Sequence, residues 1–306
     1  MRSLRPETVA ARLRHSWRLY VLLLPAVLYL AVFHYAPIFG LQIAFKDFIP
    51  SLGITGSPWA GLKHFRYFIS SPQFPILMRN TVLLNVYSLA FGFPLPILLA
   101  LMLNETRSVW FKKTVQNITY APHFVSTVVL CGMTVIFLSP SSGIVNVLLQ
   151  ALGMKPVNFM IKEQSWRTIY VVTGIWKDTG WASIIYLAAL SGVDPQLHEA
   201  AHMDGASRLQ RIRYINVPGI LPTAILLFIL DCGQIMSVGF EKAYLLQNSL
   251  NLPVSEVIST YVYKTGVLGA KFSYTSAIGL FNSLINVTLL LIVNRISSRA
   301  SNVALF

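Results

Sequence analysis

The chain of 306 residues is 55% hydrophobic and only 11% charged, and its mean hydropathy of +0.61 lies above the range of soluble globular domains. It is therefore expected to be an integral membrane protein. The net charge of +13 would favour nucleic-acid binding in a soluble protein, but here the basic residues mainly flank apolar segments, where Lys and Arg orient membrane spans.

Six apolar segments are long enough to cross a bilayer core of about 30 Å. The first follows an arginine-rich start, and it is interpreted as an uncleaved helix because its apolar stretch is longer than that of a signal peptide and lacks a clear cleavage site. Pro94 and Pro96 predict a kink in the second span. The predicted fold class is all-α, a polytopic membrane protein with six transmembrane helices. The predicted spans are 17–36, 80–103, 118–138, 168–190, 217–238 and 274–296.

The distribution of Lys and Arg predicts the orientation of these spans. Six spans place both termini on one side of the membrane, and the basic residues are denser on that side, which predicts that both termini are cytoplasmic. The expected organisation is a cytoplasmic N-terminal segment over 1–16, one transmembrane domain over 17–296 and a cytoplasmic tail over 297–306. A short amphipathic segment over 144–152 is expected at the outer membrane surface.

One long polar segment, residues 194–218, separates the fourth and fifth spans. Asp194 can cap a helix, and Pro195 suits the first helical turn, where a missing N–H costs nothing. Gly205 tolerates the left-handed conformation that ends a helix. A second helix, carrying several arginines, can follow. The segment therefore predicts a helix, a sharp turn and a basic helix, which suits a docking element on the water side of the membrane.

This segment resembles the EAA loop of the permease subunits of ABC importers. The pattern of that family is Glu-Ala-Ala, three residues, Gly, nine residues, Ile, one residue and Leu-Pro, and Val217 stands where the family usually has Leu. The matching positions are Glu199, Ala200, Ala201, Gly205, Ile215 and Pro218. Further stretches resemble the carbohydrate branch of these permeases and look closest to those that import complex oligosaccharides. These stretches include 180–181, 188–190, 239–241, 258–264 and 277–283.

The resemblance implies a type I ABC importer permease fold in the bacterial cytoplasmic (inner) membrane and an ATP-driven import of a sugar, expected to be an oligosaccharide. It implies three kinds of partner: a second homologous permease, a cytoplasmic ATPase dimer and an extracytoplasmic sugar-binding protein. ATP and Mg would be used by the ATPase, with no cofactor bound directly by this chain. The residues expected to couple to the ATPase are Glu199, Ala200, Ala201, Gly205, Arg208, Arg211, Ile215 and Pro218.

The sequence offers little support for catalysis. It contains no Gly-Lys dipeptide, so the phosphate-binding loop is absent, and ATP hydrolysis is expected in another subunit. His198 and His202 have a helical spacing but would need a third ligand to hold a metal, so no metal site is predicted. Both cysteines lie inside apolar spans, which argues against a disulfide framework. An alternative function is an ion-coupled secondary transporter with Asp178 and Asp231 as coupling sites.

Polar residues within the spans are candidates for the translocation pathway, because polar groups in hydrocarbon are costly. Lys177 and Asp178 point about 100° apart on a helix and cannot satisfy each other. Because Lys177 and Asp231 lie at similar depths, we hypothesise that these two pair and that Asp178 faces the aqueous pathway. The competing possibility directs Lys177 to the headgroups. The candidates are Lys177, Asp178, Asp231, Gln234, Asn282 and Asn286, and the two asparagines are expected to avoid lipid.

Overall fold

The computed structural model describes residues 17–301 and 303–305, so the predicted N-terminal segment 1–16 and two residues of the tail lie outside the described residues. The described residues form helices and loops without any β-strand, which confirms the all-α class. The main helices are α1 (Trp17–Leu30), α2 (Lys63–Ile69), α3 (Gln73–Gly92), α4 (Pro94–Asn104), α5 (Val109–Tyr120), α6 (Thr127–Phe137), α7 (Ile144–Ala151), α8 (Glu163–Ser191), α9 (Pro195–Met203), α10 (Arg208–Arg211), α11 (Val217–Cys232), α12 (Phe240–Leu245), α13 (Ile258–Val262) and α14 (Phe272–Ser301).

Length and composition alone recover fewer spans than the six predicted. Four helices in the described part of the chain are long and apolar enough to cross a membrane, or five if a bent pair is counted as one span. Helix α8 is also long enough, with 29 residues, but it does not reach the average hydropathy of those spans. Lys177, Asp178 and Thr179 in its middle line a cavity, and such polar residues lower the average hydropathy of a helix that lies inside a bundle.

The first span is longer than predicted. Helix α1 continues through a π-helical turn, Ala31–Tyr35, and a 3₁₀ segment, Ala36–Phe45, so that the span covers Trp17–Phe45. No residue of Trp17–Leu30 is buried. The 3₁₀ segment packs against α14, which fastens the far end of this long helix to the bundle.

The segment 46–69, which connects the first two spans, is held in place by hydrogen bonds rather than forming an open loop. The carboxylate of Asp47 accepts a hydrogen bond from Lys63 Nζ at 2.8 Å, and this bond holds the pKa of Asp47 below its usual value. The backbone N–H of Phe48 donates to Ser273 Oγ at 2.8 Å, near the start of α14. The segment 46–69 therefore connects the end of the first span to α14, the last span.

The second span begins earlier than predicted, at Gln73, and runs to Asn104. Its two halves, α3 and α4, meet at Phe93, and the expected break falls at Pro94, the first residue of α4. Pro94 has no backbone N–H to donate to the turn before it, so the chain starts a new helix there.

The predicted third span over 118–138 is not one continuous helix but a broken one. Helices α5 and α6 meet at an angle of 98°. Pro122 lies in the 3₁₀ turn between them, and Ser126 adopts an extended backbone whose side chain accepts the N–H of Val129 to start α6. The residues on both sides are apolar, so composition conceals the break.

The remaining spans shift mainly at their ends. Helix α11 ends at Cys232, not at residue 238, and the chain then turns through residues 233–239. Gly233 allows this turn to approach α14, because a Cβ there would overlap the side chain of Leu290. The last helix, α14, extends beyond the predicted 274–296 at both ends. Helix α7 confirms the predicted short helix, and its position at the membrane surface stays a prediction.

Helix α8 lies at the centre of the bundle and packs against α3, α4, α5 and α11. Gly180 permits the close approach of α5, because a Cβ at this position would overlap the backbone carbonyl of Thr119. Trp166 is fully buried, and its indole N–H donates to the carbonyl of Leu246 at 3.0 Å. The packing of α8 against four helices sets the position of every polar group along its length.

Candidate translocation cavity and coupling loop

A cavity of about 560 Å³ lies between α3, α4, α8 and α11 and reaches α6 and α12. Four of the six predicted pathway residues line it: Lys177, Asp178, Asp231 and Gln234. Lys242 of α12 also lines it, although the sequence places this residue in a loop. The cavity therefore gathers charged side chains from three helices into one space.

The hypothesis that Lys177 pairs with Asp231 is wrong for this structure, since the two form no ion pair among the described residues. Lys177 Nζ instead donates to Thr127 Oγ1 at 3.3 Å, and Asp178 Oδ1 lies 3.1 Å from His123 Nδ1. Both partners flank the bend between α5 and α6. Equal depth in two helices does not make a pair here, because the bend between α5 and α6 supplies closer partners than α11 does.

His123 joins the site through an aromatic contact as well. Its ring stacks on the indole of Trp181, with centroids 4.6 Å apart and planes within 3° of each other. Asp178, which is 59% exposed at its side chain, lies next to this stack and lines the cavity as expected. The role of His123 is not visible in the sequence, because only the broken helix brings this residue to α8.

The two predicted asparagines do not line the cavity. Asn286 Oδ1 accepts the backbone N–H of Met236 at 3.0 Å, and its Nδ2 donates to Ser237 Oγ at 2.9 Å. The Oδ1 atom of Asn282 is buried and has no hydrogen-bond partner. Asn286 thus stabilises the turn that follows α11. This turn includes Ser237, which lines the cavity.

Lys242 is held by α8. Its Nζ donates to the backbone carbonyl of Tyr170 at 2.5 Å and lies 4.3 Å from the centroid of the Tyr170 ring. Gly174 makes room for the ammonium group, because a Cβ there would come within 3.0 Å of Nζ. The backbone acceptor, the ring face and the missing side chain together fix this charge at the cavity wall.

The loop over 194–218 has the predicted local structure. Asp194 Oδ1 accepts the N–H of Gln196 at 2.9 Å, which caps α9. Gly205 has a φ of +76°, the left-handed conformation predicted for it. Ser207 and Gln210 form a reciprocal capping box at the start of α10. Helix α10 continues through a π-helical segment, Ile212–Asn216, directly into α11.

Most of the predicted coupling residues lie on the surface of this loop, where a partner can reach them. Glu199, Ala200, Gly205, Arg208 and Pro218 are exposed, whereas Ala201 and Ile215 are partly buried. The same short helices expose large apolar side chains, with Met203 86% and Leu209 74% exposed. An exposed apolar surface of this kind on a membrane domain is typical of a docking site.

Arg211 differs from the other predicted coupling residues because it points inward. Its Nη2 lies 3.6 Å from Glu105 Oε2, and Glu105 Oε1 accepts a hydrogen bond from Asn216 Nδ2 at 3.1 Å. Asn216 is fully buried. Glu105 directly follows α4, so these contacts clamp the loop to the second span. We call this set of three residues the Glu105 clamp. Glu105 was not among the predicted site residues, although an acidic residue at the end of a span is a signal for an ion pair with the arginines of the loop.

The described residues contain no group of three or more His, Cys, Asp or Glu side chains placed to hold a metal ion. His198 and His202 share α9 without a third ligand of these types. Cys131 and Cys232 are both free and buried.

A helical membrane domain with a charged cavity between its spans and a capped helix–turn–helix loop at one end is the membrane subunit of a transport system. The profile of the binding-protein-dependent transport system inner membrane components matches residues 92–302, and the chain belongs to this family. The assignment places the chain among inner-membrane components of binding-protein-dependent systems and argues against the ion-coupled alternative.

Relatives cover almost the whole chain. The polygalacturonan/rhamnogalacturonan transport system permease protein YteP of Bacillus subtilis (strain 168) is 43% identical over 281 residues, which are 92% of this chain and 88% of the relative. A crystal structure of a bacterial ABC transporter involved in the import of the acidic polysaccharide alginate contains a chain that is 41% identical, with a TM-score of 0.88 over 95% of this chain and 98% of that one.

A second crystal structure, of the bacterial alginate ABC transporter in complex with an alginate pentasaccharide-bound periplasmic protein, gives a TM-score of 0.90 at 40% identity. The match covers 98% of this chain and 100% of that chain. These similarities extend over nearly the full length of the chain and confirm the ABC importer permease fold that the loop pattern implied.

Proposed function

We propose that this chain is one permease subunit of an ATP-driven importer that moves an oligosaccharide into the cell. The observation that carries the proposal is the connection between the 560 Å³ cavity and the loop over 194–218 through shared helices. The names of the relatives, which refer to polygalacturonan, rhamnogalacturonan and alginate, support an oligosaccharide substrate.

Two helices link the loop to the cavity directly. Helix α8 lines the cavity at Lys177 and Asp178 and leads within a few residues into α9. Helix α11, which carries Asp231, continues from α10 without interruption. A displacement of the loop therefore acts on both walls of the cavity, as alternating access requires.

The Glu105 clamp adds a third connection. Helix α4 lines the cavity at Pro96 and ends just before Glu105, which holds Arg211 and Asn216 of the loop. A displacement of the loop is therefore passed to α4 as well as to α8 and α11. This arrangement supports a role for the exposed residues Glu199 and Gly205 in receiving motion from an ATPase.

The proposal includes the partners and the orientation. The loop would dock on a cytoplasmic ATPase dimer, which uses ATP and Mg, while this chain binds no cofactor of its own. A second homologous permease would complete the pathway, and an extracytoplasmic sugar-binding protein would deliver the substrate. Both termini and the loop over 194–218 would lie in the cytoplasm, with one transmembrane domain over 17–296 between them.

Reconstitution tests this function. The full complex in liposomes, with ATP enclosed and a labelled oligosaccharide outside with the binding protein, should accumulate sugar only when ATP is hydrolysed. The loaded binding protein should also stimulate the ATPase. Uptake by this chain without ATPase subunits, driven by a proton or sodium gradient, would contradict the proposal and restore the ion-coupled alternative.

A further inference from the structure

Two ammonium groups of the cavity form no salt bridge with any carboxylate of the described residues. Lys177 is bonded to a hydroxyl, that of Thr127, and Lys242 to the backbone carbonyl of Tyr170. Elsewhere in the described residues, Lys63 and Lys264 pair with acidic side chains at 2.8 Å and 3.0 Å. A cation held between membrane helices is costly unless an anion accompanies it. The two lysines are therefore placed to receive an anion from outside the chain.

The acidic side chains of the cavity do not fill this role. Asp178 interacts with Lys242 only at longer range, and its direct contact is with His123 at 3.1 Å. Asp231 lies in electrostatic range of Tyr186, and Tyr186 follows Asp178 by more than two turns along α8, a distance of about 12 Å at 1.5 Å per residue. The end of the cavity near Tyr170 thus carries the two cations, with one carboxylate that already has a partner.

The surroundings of Lys242 suit a carboxylate on a sugar. Gly174 leaves the ammonium group accessible from the cavity, since a side chain there would cover it. The contacts with the Tyr170 carbonyl and ring hold Nζ in one place. The side chain therefore loses little conformational entropy when an anion binds. An ammonium group with free donors forms strong charge-assisted hydrogen bonds to a carboxylate.

We propose that the cavity recognises acidic oligosaccharides, those built from uronate sugars, and that Lys242 and Lys177 receive the sugar carboxylates during passage. This inference rests on the proposed function and adds to it the chemical class of the substrate and the residues that select it. A neutral sugar of the same length would leave both ammonium groups without an anion and would pass poorly.

The test uses the full complex with its binding protein in liposomes and three labelled pentasaccharides: an oligogalacturonate, its methyl ester, and neutral maltopentaose. The oligogalacturonate should be taken up with ATP, and the two neutral sugars should not. Lys242→Gln should reduce oligogalacturonate uptake by about tenfold or more, as expected when a hydrogen bond to a charged group is lost. Lys242→Arg should keep most of the uptake, because it retains the charge.

Matched controls separate selection in the cavity from selection by the binding protein. Lys271→Gln removes the same charge at an exposed position outside the cavity and should leave uptake unchanged. Stimulation of the ATPase by the loaded binding protein should survive Lys242→Gln, which shows that the variant is folded and docks. If Lys242→Gln does not assemble, Lys177→Gln is the second variant, since it removes a single hydrogen bond.

The outcomes are distinct. Wild-type uptake of oligogalacturonate in both glutamine variants would overturn the inference, as would ATP-dependent uptake of the methyl ester or maltopentaose at the same rate as the acid. In either case the importer function would stand. Failure of ATP to drive uptake of any of the three sugars would instead overturn the proposed function, and with it this inference.

Discussion

The Glu105 clamp predicts a measurable loss of stability and of coupling. Glu105→Ala removes the acceptor for Asn216, which is fully buried, and the charge next to Arg211, whose side chain is 18% exposed. A hydrogen bond to a charged acceptor contributes about 1.5 to 3 kcal/mol. The Arg211 contact is long and partly exposed, so it adds about 0.5 to 1 kcal/mol. We therefore expect a total loss of about 2 to 4 kcal/mol.

Unfolding of the purified complex in mild detergent would measure this loss, and the ratio of sugar transported to ATP hydrolysed would measure the coupling. Glu105→Gln keeps an oxygen for Asn216 but not the charge, so it should lose less stability than the alanine variant. Glu163→Gln, at an exposed acidic residue in the first turn of α8, is the matched control and should stay within about 0.5 kcal/mol. A stability and a transport ratio equal to wild type in Glu105→Ala would refute the clamp.

Three further predictions concern α8 and the loop. Gly180→Ala should destabilise the protein by about 1 to 3 kcal/mol through overlap with the backbone of α5, while Gly132→Ala, with open space around it, should not; equal melting temperatures would contradict this. Gly205→Val forces a branched side chain into a left-handed turn, which costs about 1 to 2 kcal/mol. We therefore expect the variant complex to assemble normally and to hydrolyse ATP without transporting sugar. Normal transport by this variant would count against the coupling role of the loop. The double swap Lys177→Asp with Asp231→Lys should not recover the assembly lost in either single variant, because the two side chains have other surroundings; recovery in a double-mutant cycle would show that they meet.

Local chemistry made the loop over 194–218 predictable. The cap at Asp194 and the turn at Gly205 depend on residues a few positions away, and both appear as expected. The resemblance to the EAA pattern then supplied the family. The sequence could not show that Arg211 turns inward, because its partner Glu105 lies on another helix and more than a hundred positions earlier in the chain.

The cavity was predictable only in part. Four of the residues that line the cavity could be predicted because they are polar residues within apolar spans, and such residues avoid lipid. The pairing of Lys177 failed because hydropathy averages over a window and does not register the bend between Phe124 and Thr127, which brings Thr127 and His123 to α8. Lys242 was missed for a similar reason, since its acceptor on Tyr170 lies 72 positions away in the chain.

The first helix carries a consequence for the choice of lipid. The span Trp17–Phe45 has 29 residues, the last ten of them 3₁₀, and at about 1.5 Å per α-helical and about 2 Å per 3₁₀ residue it is well over 40 Å long, against a hydrocarbon core of about 30 Å. Its 3₁₀ end is fastened to α14, whereas no residue of Trp17–Leu30 is buried. A helix attached at one end and longer than the bilayer adapts by tilting. Bilayer thickness therefore sets the angle of this helix, and spin labels along it should report different tilts in short-chain and long-chain lipids while the bundle keeps its shape.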